Sequence, residues 1–148
     1  GLFSEVAQDR LDDIEAAKRS EAQAQERDFW DRVRNEDKPG SYRAYLDRYP
    51  NGLFAQEARA RLDQLSQDQQ NEAQMAAAER EEQTVAGNQV TRLLVENRLV
   101  SLGFDIPEVD GVFGPTARRA IRRFQSSRGL PVTGFVTQET MVRLLAAF

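Results

Sequence analysis

Apolar side chains recur along this chain at spacings of three and four, the period of a helix, and the recurrences are interrupted at a few defined places. Phe29, Trp30 and Val33 set a bulky apolar face near the end of a long first helix, which Lys38-Pro39-Gly40 breaks. Tyr42, Tyr45, Leu46 and Tyr49 then recur at helical spacing and predict a short second helix. Tyr49-Pro50-Asn51-Gly52 is a strong stop, because proline removes a backbone donor and Asn-Gly favours a turn. Phe54, Ala58, Leu62 and Leu65 form one stripe of a third helix. From Ser66 to Gly87 the stripe fades while helix formers persist, so that helix is expected to continue. With Met75 and its neighbouring alanines as the few apolar anchors, residues 66–88 read as a solvated helical connector, with a partner-binding helix as the alternative.

Beyond Gly87 the pattern strengthens. Val90, Leu93, Leu94 and Val100, together with Val95, Leu99 and Leu102, give one helix a broad apolar face, and Gly103 stops it as a left-handed cap. Asp110-Gly111 supplies a tight turn. Gly114 then serves as N-cap, with Pro115 at the first helical position, where its missing N–H costs nothing. Ala117, Ala120, Ile121 and Phe124 predict the buried face of the next helix and leave Arg118, Arg119, Arg122 and Arg123 outward. Gly129-Leu130-Pro131 ends it, and Thr137 caps a last helix whose Met141, Leu144 and Leu145 point inward.

A repeat underlies the first part. Residues 1–12 read GLFSEVAQDRLD and residues 52–63 read GLFAQEARARLD, with Gly, Leu, Phe, Ala, Arg, Leu and Asp in register. Such a period predicts stacked helical hairpins. Gly1 corresponds to the glycine of the Tyr-Pro-Asn-Gly turn, so the chain is expected to open within a repeat and to be a fragment of a larger protein. The fold expected is all-α: a helical repeat over 1–65, a connector over 66–88 and a three-helix bundle over 89–148. The cluster of Phe29, Trp30, Tyr42, Tyr45 and Tyr49 fits a core at this spacing, and a ligand platform is the alternative.

Charge divides the chain at the same place. Residues 1–85 hold 12 basic and 19 acidic side chains, whereas residues 86–148 hold 8 basic and 5 acidic. Cysteine and histidine are both absent, which excludes thiol nucleophiles, Ser/His/Asp triads and zinc sites built from Cys and His. No catalytic residue, cofactor or metal site is expected, and the chain reads as not an enzyme. No stretch approaches the roughly 18 uninterrupted apolar residues of a membrane span. The acidic overall balance, with no aromatics interleaving the arginines, argues against nucleic acid.

The Tyr-Pro-x-Gly, Phe, Ala, Leu order resembles tetratricopeptide-like hairpins. A more specific resemblance lies in Leu102-Gly103-Phe104, Asp110-Gly111-x-Phe113-Gly114-Pro115, Arg123-Phe124-Gln125 and Gly129-Leu130-Pro131-x-x-Gly134. Together these are similar to the family of short peptidoglycan-binding domains, over about residues 89–148. The resemblance implies a three-helix, non-catalytic bundle that tethers bacterial cell-wall proteins to peptidoglycan, in the periplasm or cell envelope. The sequence departs from the family pattern at Val95-Glu96, at Thr116-Ala117 and at Thr137-x-x-Thr140.

Peptidoglycan presents sugar faces, acetyl groups and carboxylate-bearing peptides, and arginine suits carboxylates because its planar fork donates two parallel hydrogen bonds. Arg119, Arg122 and Arg123 beside the Asp110–Phe113 turn are therefore the candidate groove wall. Gln125 is placed to read an amide, and Phe104 or Phe113 to give an apolar floor. Each has a plainer reading: a solvated helix face for the arginines, a turn residue for Asp110, core for the phenylalanines. The competing function is a protein-interaction or regulatory scaffold that has lost peptidoglycan binding, with a partner held by the helical repeat.

Overall fold

A computed structural model describes residues 1–148 and contains six helices and no strand. The chain divides into two compact units, Gly1–Gln69 and Gln70–Phe148. No helix is long and apolar enough to cross a membrane.

The first unit holds α1 (Leu2–Glu36), α2 (Pro39–Arg48) and the first half of α3 (Ala55–Val85). Asp37 ends α1 in the left-handed conformation at φ 49°, and Pro39 opens α2, so the break lies where Lys38-Pro39-Gly40 predicts it. Trp30, Val33, Tyr42, Tyr45, Ala55 and Ala58 make the core, with Phe29, Tyr49, Phe54, Leu62 and Leu65 packed around it. The Trp30 and Phe54 rings stack 5.1 Å apart and within 2° of parallel. The five-membered aromatic cluster is thus chiefly core: Trp30 and Tyr45 are closed off, and Phe29 and Tyr49 lie half-buried at its margin.

Glu26 is the polar centre of this unit. Its Oε1 accepts from the Tyr45 hydroxyl at 2.6 Å and from the Leu53 N–H at 2.7 Å, while Tyr45 Oη accepts from the Phe54 N–H at 3.0 Å. A Cβ at position 52 would collide with Glu26 Oε1 and lie 2.6 Å from Tyr45 Oη, so the turn admits only glycine. By contrast, the first 25 residues contain no buried side chain.

The second unit comprises the end of α3 with α4 (Gln89–Ser101), α5 (Pro115–Ser127) and α6 (Gln138–Ala146). Asn88 caps α4 by accepting from the Thr91 N–H, and Thr137 caps α6 by accepting from the Thr140 N–H. Gly114 and Pro115 open α5 as the sequence predicts. Helix α4 packs against both α5 and α6. The core gathers Ala86, Val95, Leu99, Ile106, Ile121, Phe124, Leu130, Val136 and Leu144. Full burial of a side chain such as Phe124 is worth about 1.5–3 kcal/mol.

Three expectations change here. The broad apolar face of α4 is narrower than predicted, because Val90, Leu94 and Val100 are exposed and only Val95, Leu99 and partly Leu93 and Leu102 turn inward. Leu145 is likewise exposed, since at one residue from Leu144 it stands about 100° round the helix. The stretch 66–88 is helical as expected to Val85, yet its last turns are not solvated: Ala78, Glu82 and Ala86 are buried within the second unit.

Candidate functional site

The Asp110–Phe113 turn is built as a structural element. Asp110 Oδ1 accepts from the Val112 N–H at 2.9 Å, closing a side-chain turn. Gly111 takes φ 76°; its N–H donates to Glu96 Oε2 at 2.7 Å and its carbonyl accepts from Arg92 Nε at 2.6 Å. The departure at Glu96 therefore has a function: a wholly buried carboxylate on α4 holds the turn, although its Oε1 finds no partner.

The four arginines of α5 do not form one face. Helical geometry pairs residues four apart, so Arg118 goes with Arg122 and Arg119 with Arg123. Arg118 is half-buried rather than outward. Its Nη1 donates to Glu82 Oε2 at 2.6 Å and to the Gly134 carbonyl at 3.0 Å, and its guanidinium lies 5.1 Å from the Phe113 ring and 4.7 Å from the Phe135 ring. Arg122 covers Gly134, where an added Cβ would lie 2.8 Å from its Nη1. Arg119 and Arg123 remain. With Asp105, Thr116 and Ala120 they line a hollow of about 190 Å³. Both are exposed, and neither forms an ion pair, although Asp105 shares the hollow.

Gln125 must be removed from the ligand-contacting set. It is fully buried, and its Oε1 accepts from the N–H groups of Thr133 and Gly134, each at 2.9 Å. Its Nε2 donates to the Phe135 carbonyl at 2.9 Å and reaches the Thr133 and Thr140 hydroxyls. The amide thus ties the loop after α5 to the start of α6 and is closed off from the surface. Phe104 sets its ring edge against Phe124 at 6.0 Å and packs on the core, half-buried. Phe113 is half-buried beneath Arg118. Neither these rings nor Asp110 lines the arginine hollow.

Three residues that line the hollow lie outside the predicted set, Asp105, Thr116 and Ala120. The i, i+4 pairing was a signal for separating Arg119 and Arg123 from the other two. No signal pointed to Glu82, which sits in an acidic run of a polar helix. Chemically, two unpaired guanidinium groups at the mouth of a hollow can clamp a carboxylate, and the Thr116 hydroxyl can donate to or accept from an amide or sugar hydroxyl beside it.

Residues 87–144 match a family model described as "Putative peptidoglycan binding domain". No curated protein and no solved structure matches the chain. The match begins just after α3 ends, so Glu82 reaches the matched segment from outside it. Peptidoglycan binding and association with the cell wall are what the matched domain suggests for this chain.

Proposed function

We propose that this chain is a non-catalytic wall-binding module of an envelope or periplasmic protein, whose second unit holds peptidoglycan at the hollow between Arg119 and Arg123. The first unit serves as a spacer or docking scaffold. The observation that carries the reading is the pair of guanidinium groups, one helical turn apart and without a carboxylate partner, within the segment that matches the family.

An uncompensated pair of this kind attracts a carboxylate from the peptide part of the wall polymer. The open hollow beside it leaves room for the adjoining amide or sugar. Asp105 at the same rim disfavours a second acidic group close by and so sets the orientation of the bound segment. The reading asks nothing of the chain except affinity and position.

Co-sedimentation of the full chain with purified peptidoglycan sacculi tests this. The chain is expected to pellet with the sacculi at moderate salt, and a variant carrying both Arg119→Ala and Arg123→Ala to stay in the supernatant. Because both side chains are exposed, the variant is expected to melt as the parent does. Undiminished pelleting by the double variant would move the site elsewhere, and failure of the parent to pellet would remove the function.

A further inference from the structure

The internal repeat has one copy whose packing is visible and one whose packing is not. In the visible copy, Phe54 stacks on Trp30, Ala58 is fully buried, and Arg61 makes a two-pronged pair with Asp37 at 2.6 and 2.8 Å. Leu62 and Leu65 complete that stripe against the same core. At the equivalent positions 51 residues earlier stand Phe3, Ala7, Arg10, Leu11 and Ile14. The same residue types, in the same register, are here uncovered: Phe3 is 94% exposed, Leu11 53% and Ile14 52%. With Val6 they line a wide, shallow hollow of about 660 Å³ along α1. Leu2 and Phe3 also present first-turn N–H groups without a protein acceptor, where Leu53 and Phe54 give theirs to Glu26 and Tyr45.

We propose that the Phe3–Ile14 face of α1 is a docking surface for an aromatic helical hairpin of the kind formed by residues 26–51. The equivalent packing specifies the occupant's chemistry. It brings a flat aromatic ring to stack on Phe3, a carboxylate to fork with Arg10, and a hydroxyl and a carboxylate to accept the Leu2 and Phe3 N–H groups. A second copy of this chain does not meet that description, because its own Trp30 ring is already occupied by Phe54. A lipid surface offers apolar contact but no ring and no paired acceptors. The inference stands apart from wall binding, which concerns the other unit.

The test extends the full chain at its amino end by a second copy of residues 1–51, so that Asn51 of the added copy runs directly into Gly1. Hydrogen exchange is then followed at the amides of the original Leu2–Ile14. The docking surface predicts that exchange there slows on the order of a hundredfold relative to the unextended chain, as amides pass from an unpacked helix into a cooperative unit. Phe3→Asp in the extended chain should restore fast exchange, and in the unextended chain it should change nothing. Unaltered exchange in the extended chain overturns the proposal. So does an unextended chain that sediments as a dimer and is made monomeric by Phe3→Asp, because the occupant is then a second copy.

Discussion

Glu82 Oε2 and Arg118 Nη1 lie 2.6 Å apart, and the same carboxylate oxygen accepts from the Val136 N–H at 2.6 Å. One side chain near the end of α3 thus holds both the second turn of α5 and the segment leading into α6. Glu81 Oε1 also accepts from the Gln138 N–H at 2.9 Å, at the first turn of α6, where a carboxylate complements the helix dipole. Glu82→Ala leaves a half-buried guanidinium without its carboxylate partner and a buried N–H without its acceptor. It should lower the stability of the second unit by about 2–3 kcal/mol in urea unfolding. A loss below about 0.5 kcal/mol, the level of an ordinary surface change, would show that the Glu82 contacts add nothing to this unit.

Gln125→Leu should be as damaging for a different reason. It strips the acceptor from the Thr133 and Gly134 N–H groups in a fully closed site, at a cost of about 2 kcal/mol or more. The ligand affinity of the fraction that remains folded should be unchanged. Loss of affinity at full stability would return Gln125 to the binding surface.

These two residues show what the sequence made legible and what it did not. The ends of the helices were readable because their signals are local: Pro39 and Pro115 at first helical positions, Thr137 as a cap, Asp110-Gly111 as a turn. Gln125 was misread because its partners, Thr133 to Thr140, meet it only after the chain folds back from Gly129. Arg118 looked like its neighbour Arg119, and what separates them is a carboxylate 36 residues earlier. Periodicity identifies a face; it does not say what will cover that face.

In the first unit, Tyr45 predicts the alkaline limit. Burial, and then its hydrogen bond to the Glu26 carboxylate, push its hydroxyl up to about 12. The folded state favours the neutral phenol, so its contribution is complete below the unfolded value of about 10 and is lost as pH rises through 12. Tyr45→Phe should remove that alkaline loss, at a cost near neutrality of roughly 1–3 kcal/mol, because the Phe54 N–H loses its acceptor. Circular dichroism of both proteins between pH 9 and about 12.5 checks the difference; coincident alkaline transitions would contradict it.

Asp37 sets the acid side. The Arg61 guanidinium, and then the Tyr42 hydroxyl, hold its carboxyl well below the usual range. A depressed value means that the contribution is present above the unfolded value of about 4 and is lost as pH falls from there toward the folded one. Asp37→Asn should make the first unit less sensitive to acid below about pH 4. Salt should weaken the native pair, which is largely exposed. An acid transition that is the same in both proteins would place the sensitivity elsewhere.

The most direct measurement is an NMR titration of the full chain with a soluble peptidoglycan fragment that carries a free carboxylate. The predicted result is a saturable shift of the Arg119 and Arg123 side-chain N–H signals and of the Asp105 and Thr116 amides, with Gln125 unmoved. Shifts that leave those two arginines untouched, or no saturable shift at all, would contradict the account.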